Sequence, residues 1–205
     1  DRTAIEGQAD RIFNMLVARP DLITAIQESG IEGRVIPAGE RITSVPDYAD
    51  LYEEYPGTDW DRRGRSFPGT EALPVFSGAE ENLLCSTEDR YEGEDIFVRT
   101  FALTIRRFAL DAVDEGTSAA INRAYARAIA AGLCENTLAE INDDEYWMEG
   151  VQSYFDANRE DTDEDRGPNS SHNAVNTRDE LAEYDPALWA IAESVFGDTP
   201  WRPEC

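Results

Sequence analysis

The sequence predicts a mainly helical α+β domain with a small sheet and a helical C-terminal half. Three observations predict it. Apolar residues recur at helical spacing through most of the chain beyond Asp95, whereas the strand-like stretches before it are two short apolar runs bounded by Gly or Pro. At 205 residues and 41% hydrophobic content, the chain is long and apolar enough to bury one substantial core. A single domain over 1–205 follows, with N-terminal helices, strands and a long loop over 1–92 and the helical half over 93–205.

The elements follow in order. Ile5 to Gln27 places apolar side chains at helical spacing, and Pro20, which cannot sit inside a helix, divides it into two helices. Gly33 to Pro37 and Ala72 to Phe76 read as strands. Between them, Val45 to Gly69 is rich in Pro, Gly, Asp and Tyr and reads as a long ordered loop carrying the basic patch Arg62-Arg63-Gly64-Arg65. Helices are predicted over Ile96 to Ala112, Ser118 to Leu133, Asp143 to Asn158 and Arg178 to Phe196. The second is alanine-rich, which favours helix and close packing. Thr177 with Glu180 forms a capping-box pattern at the start of the last, and Pro186 divides it. Internal repeats are absent.

Charge narrows the function classes. The net charge is −25, from 43 acidic against 18 basic residues, so nucleic acid and anionic membrane surfaces are repelled rather than bound. All 18 basic residues are Arg. Without Lys there is no Schiff-base, P-loop or carboxylated-lysine chemistry in this chain. Many carboxylates without Lys suit solubility at high ionic strength; a GC-rich coding bias accounts for the Arg equally well.

The stretch Ile96-Phe97-Val98-Arg99-Thr100-Phe101-Ala102-Leu103-Thr104-Ile105 reads like a zinc-peptidase helix whose chemistry has been removed. In H-E-x-x-H two imidazoles one turn apart face the metal and the Glu is the general base. Arg99, Thr100 and Leu103 stand at those places. Further on, Asn142-Asp143-Asp144-Glu145-Tyr146-Trp147-Met148-Glu149-Gly150 resembles the E-[YF]-[FW]-A-E helix of the lethal-factor-like gluzincin metallopeptidases. The likeness extends from Gly57 to Trp201 through Gly57-Thr58-Asp59-Trp60-Asp61, Glu80-Glu81-Asn82-Leu83-Leu84-Cys85 and His172-Asn173-Ala174-Val175-Asn176-Thr177-Arg178, blocks similar to those of the secreted bacterial and fungal branch.

This resemblance implies a gluzincin-type catalytic-domain fold with Glu145 at the place of the third zinc ligand and Glu149 as its supporting carboxylate. Leu138 stands where relatives carry a Tyr that steadies the oxyanion, and Ala174 replaces a further His. A degenerate member is expected: a secreted, extracellular or cell-surface pseudopeptidase, serving as a binding or structural module for a protein or surface glycan, with no metal and no catalytic residues. Arg99 is then expected to reach Glu145 or Glu149 where the cation sat. The alternatives are a hydrolase of other chemistry that reuses Glu145 and Glu149 as acid and base, and a metallopeptidase with unconventional ligands.

Plainer readings stand beside these. Capping by Asn142 accounts for Glu145 equally well, and Arg99, Arg106 and Arg107 read equally as the polar face of a helix whose core face is Phe97, Phe101, Ile105 and Phe108. His172, the sole histidine, lies among polar residues and reads as a surface side chain. Cys85, Cys134 and Cys205 leave one thiol over after one disulfide, as in a secreted protein, with all three pairings open. The acidic run at Asp161, Asp163 and Asp165 fails the EF-hand pattern and leaves a looser calcium site open, beside the plainer reading of a solvated acidic loop. Finally, Tyr52, Tyr55, Trp60, Arg62 and Arg63 have the Tyr, Trp and Arg enrichment of interface anchors, set against inward packing that orders the loop.

Overall fold

A computed structural model describes residues 1–160 and 168–203 of the chain. The architecture is α+β and mainly helical. The N-terminal half begins with two helices, α1 (Arg2–Leu16) and α2 (Pro20–Ser29). The break falls at Pro20, which occupies the first turn of α2, where its missing N–H costs nothing. Gly30 then ends α2 in the left-handed conformation, at φ 72°.

Strands β1 (Glu32–Ile36) and β2 (Val75–Ala79) pair in parallel, with Glu32 opposite Val75 and Ile36 opposite Ala79. The expected second strand, Ala72 to Phe76, is displaced toward the C-terminus. Pro74 has no N–H for a ladder, and its carbonyl instead accepts from Glu32 N at 3.0 Å, so pairing begins at Val75. The small residues Ser77, Gly78 and Ala79 that complete the strand carry no alternation signal, since all five of its residues are buried. Parallel pairing requires a long crossover. That crossover contains the predicted loop, which is organised by turns at Ile42–Ser44 and Pro46–Tyr48 and by the short helices Leu51–Glu54 and Trp60–Arg63. They enclose a satellite core of Ile36, Ile42, Val45, Tyr48, Leu51 and Val75.

The C-terminal half supplies α3 (Ile96–Ile105), α4 (Glu115–Ala130), α5 (Asp143–Tyr154), α6 (Arg178–Tyr184) and α7 (Pro186–Phe196). The capping box at Thr177 and Glu180 is present, and Pro186 starts α7. The segment after α3 does not continue as a plain α-helix: Arg106–Leu110 widens into a π turn. There Arg106 turns inward to Asp143 and Asp144 at 2.5 and 2.9 Å, tying α3 to the first turn of α5.

The helix α3 lies across the sheet. A methyl group at Gly78 would stand 2.9 Å from the Phe97 ring, so the strand must be bare there for the helix to approach. Phe97 and Phe101 stack at 5.3 Å and both meet Phe76. Behind them α5 is buried almost along its whole length, with Trp147 stacked on Phe196 at 5.9 Å. Gly150 faces α7 so closely that an added Cβ would come within 2.2 Å of Leu188. Gly150→Ala is therefore expected to destabilise the fold by about 1–3 kcal/mol, the usual cost of overpacking, measurable by urea unfolding. Among the described residues, no helix is long and apolar enough to cross a membrane.

Candidate functional site

Local sequence places the charged groups. Asp95 caps α3 through Oδ1, which accepts from Val98 N at 2.9 Å, and its other oxygen takes the buried Arg11 guanidinium. This orients the first turn of α3, from which Arg99 projects. Asn142 caps α5 through Oδ1, accepting from Glu145 N at 2.8 Å. The expected cap is therefore present, yet it leaves the Glu145 carboxylate available. One turn apart on α5, Glu145 and Glu149 face the same way.

The two helices bring Arg99 between these carboxylates. Its Nη2 makes a short charge-assisted bond to Glu145 Oε2, and its Nε lies 3.5 Å from Glu149 Oε2. The Arg99 side chain is 14% exposed. The solvent-face reading thus fails for Arg99 and Arg106, which are enclosed by carboxylates, and holds only for Arg107. Burial opposes the charge on Arg99, but Glu149 and Glu145 outweigh it and raise its pKa further. Arg99 Nε and Glu149 Oε2 face one another buried and without a hydrogen-bond partner.

His172 is where the sequence reading is overturned. It is 4% exposed, not a surface residue, because the strand-free segment carrying it folds back over α5. Its Nδ1 sits 2.6 Å from Glu149 Oε1 and its Nε2 3.5 Å from Glu94 Oε2. Asn158 Nδ2 also donates to Glu149 Oε1 at 2.9 Å, and Gln152 Nε2 to Glu94 Oε2 at 3.2 Å. Sequence reasoning missed Glu94, Gln152 and Asn158. Glu94 precedes a helix cap and resembles ordinary capping chemistry, so no local signal separates it from its acidic neighbours.

Burial pushes the Glu149 pKa up, yet the His172 hydrogen bond and the Arg99 charge overcome it, leaving a carboxyl below its usual 4.5. Burial pushes His172 down, and the bond to Glu149 with the charges of Glu149 and Glu94 more than restores it, above the usual 6.5. Glu149 thus contributes stability that is present above pH 4.5 and lost as pH falls through its folded value. His172 contributes stability that is complete below pH 6.5 and lost as pH rises through its folded value. A glycosidase-like acid needs a raised carboxyl. Glu149 is shifted the other way.

Thr100, Leu103 and Leu138 have structural partners of their own. Thr100 Oγ1 donates to Ile96 O at 3.0 Å and touches Ser66, turning to its own helix and the neighbouring segment. Leu103 is buried, and Leu138, half-buried in the turn Leu138–Glu140, brings no hydroxyl. The zinc ion that the resemblance implies does not fit these residues. The Arg99 guanidinium lies between Glu145 and Glu149, and Leu103 has no lone pair. Among the described residues, no group of three or more His, Cys, Asp or Glu is arranged to hold a metal ion. The calcium candidates Asp161, Asp163 and Asp165 lie outside the described residues.

A small cavity of about 30 Å³ adjoins Glu149 and is lined by Ser153, Asn173, Tyr184, Asp185 and Cys134 among others. Cys134 is a free, buried thiol whose pKa burial pushes up to about 12, so it is no nucleophile near neutrality. Cys85 is disulfide-bonded.

The aromatic loop divides. Trp60 Nε1 donates to Leu51 O at 3.0 Å and Tyr52 OH to Asp61 Oδ2 at 2.9 Å, so both half-buried rings order the loop. Tyr55 is 54% exposed and packs edge-on against Trp60 at 5.7 Å. Arg62 is exposed, and the Arg63 side chain lies outside what the structure describes. Comparison with known proteins finds no matching family model, no matching curated protein and no matching solved structure.

Proposed function

We propose that this chain is a pseudopeptidase of lethal-factor-like gluzincin form, in which an arginine replaces the zinc ion and the fold serves as a binding or structural module. One observation carries the reading: Arg99, at the place of a zinc-binding His, spans Glu145 and Glu149, the places of the third ligand and its supporting carboxylate. The positive charge is retained while the Lewis acid is gone. Without it a water nucleophile keeps a pKa near ~15.7 instead of about 7. On this reading contact with a protein or surface glycan falls to exposed groups such as Tyr55 and Arg62, with Trp60 and Tyr52 holding the loop that presents them.

Restoration is the decisive test. The double variant Arg99→His, Leu103→His puts two imidazoles at i and i+4 on α3, facing Glu145. It is expected to bind zinc at one ion per chain by elemental analysis, with a rise in Tm on adding zinc, while the natural chain carries none and shows no chelator-sensitive cleavage of casein. Failure of a folded double variant to take up zinc would refute the ancestry of this site. Stoichiometric zinc in the natural chain, or proteolysis abolished by chelator and restored by zinc, would refute the pseudopeptidase reading itself.

A further inference from the structure

We propose that His172 is a proton-operated latch: as an imidazolium it fastens the segment 168–177 to the buried carboxylates Glu149 and Glu94, and on losing its proton it releases that segment and opens the cavity beneath. The inference does not depend on the peptidase resemblance. It rests on the position of one ring between two carboxylates, at 2.6 and 3.5 Å, in a segment without helix or strand.

His172 is the only ionisable side chain in 168–177. At its end the segment is held by the Glu180 carboxylate, which accepts from Asn176 N and Thr177 N at 3.1 Å and stays ionised in the neutral range, and elsewhere by neutral bonds such as Ser170 N to Asn136 O at 3.1 Å, Leu138 N to Ser171 O at 3.0 Å and Ser153 Oγ to Val175 O at 2.9 Å. Such bonds do not respond to pH in the neutral range. The ring does. An imidazolium donates from both nitrogens and so serves Glu149 and Glu94 together. A neutral imidazole has one N–H, and either tautomer turns a lone pair onto a carboxylate oxygen.

The surrounding charges decide the outcome. From α5 come Glu149 and, through Arg99, Glu145; ahead of α3 lies Glu94; Arg99 faces the ring from α3; Arg159 stands 3.9 Å from Glu94 and is 38% exposed. Asp185, Cys134, Tyr146 and Tyr184 also line the cavity. With His172 protonated, Glu94, Glu145 and Glu149 meet three cations. When the proton leaves to solvent, two guanidiniums remain for three carboxylates, of which Glu94 and Glu149 are buried, and admitting water beneath the segment relieves the excess. Asn173 and Val175 of this segment line the cavity, so lifting the segment uncovers its other lining residues Glu149, Ser153 and Cys134.

The chain offers a clean test, because its single histidine gives one imidazole signal and there is no Lys to titrate nearby. The full chain is titrated from pH 5 to 10 by NMR, with amide exchange read over 169–176 and corrected for the intrinsic pH dependence of exchange. The imidazole midpoint is expected above 6.5. Protection of the segment is expected to fall about tenfold per pH unit between 6.5 and that midpoint and then to level off, while α5 keeps its protection. Labelling of Cys134 by a thiol-specific disulfide should accelerate over the same interval, beyond the tenfold per unit due to thiolate formation. Glu94→Gln should lower the imidazole midpoint and narrow the window, and His172→Gln should give protection that no longer changes with pH there. An imidazole midpoint at or below 6.5, or segment protection in the natural chain that stays flat across the titration, would overturn the latch without needing either variant.

Discussion

Trp147→Ala is expected to cost about 3–5 kcal/mol, the range for deleting a buried Trp, measured by equilibrium urea unfolding. Trp147 has no exposed surface, stacks on Phe196 and donates from Nε1 to Ala102 O at 2.9 Å. Removing it opens a cavity at the junction of α3, α5 and α7 and leaves that helical carbonyl short of a second donor. Trp147→Phe separates the two losses. It keeps most of the ring stack while removing the hydrogen bond, so a cost of about 1 kcal/mol is expected from that bond alone. If both variants unfold at the urea midpoint of the natural chain, the packing of α5 against α3 is not what the structure shows.

Arg99→Ala is expected to cost about 3 kcal/mol, the lower end of the range for breaking a buried ion pair. The lower end applies because Glu145 is 27% exposed and regains water, whereas Glu149, at 12%, is left with His172 as its nearest cation. A change at Arg2, whose side chain is 91% exposed in a helical pair with Glu6, should fall within about 0.5 kcal/mol of zero. The sign with pH is also fixed. The deficit of Arg99→Ala should shrink as pH falls through the folded value of Glu149, since a protonated carboxyl needs no cation. A deficit that is small at neutral pH, or independent of pH in the acid range, would mean that Arg99 does not neutralise Glu149 in the folded chain.

These two variants probe different layers of the same site. Trp147 sets the distance between helices; Arg99 uses that distance. Arg99 is not separable from His172, because Glu149 is shared between the guanidinium and the imidazole. A variant at one is therefore expected to change the other, and the two should not add.

The helices were legible because their signals are local. Pro20 and Pro186 cut two long apolar stretches where a ring cannot follow a helix, and Asn142 and Thr177 mark starts by capping. The strand at Val75–Ala79 was misplaced because its interior is small residues buried on both sides, which leaves no alternation to read. The long crossover was legible as ordered, but its satellite core was not: Tyr48 reaches Val75 O across 27 positions of chain.

The site divides along the same line. By itself the sequence determined that Arg99, Thr100 and Leu103 can supply neither a zinc ligand nor a general base, since the absence of a lone pair or a base belongs to the residue and not to its surroundings. It also determined that one turn of helix would align Glu145 with Glu149. Only the tertiary structure decided that Arg99 is enclosed rather than solvated, and that His172 is buried between Glu149 and Glu94. Arg99 and Glu145 are 46 positions apart, and His172 and Glu149 are 23 apart. Burial of a charge depends on which distant groups arrive to neutralise it, and no periodicity along the chain carries that information.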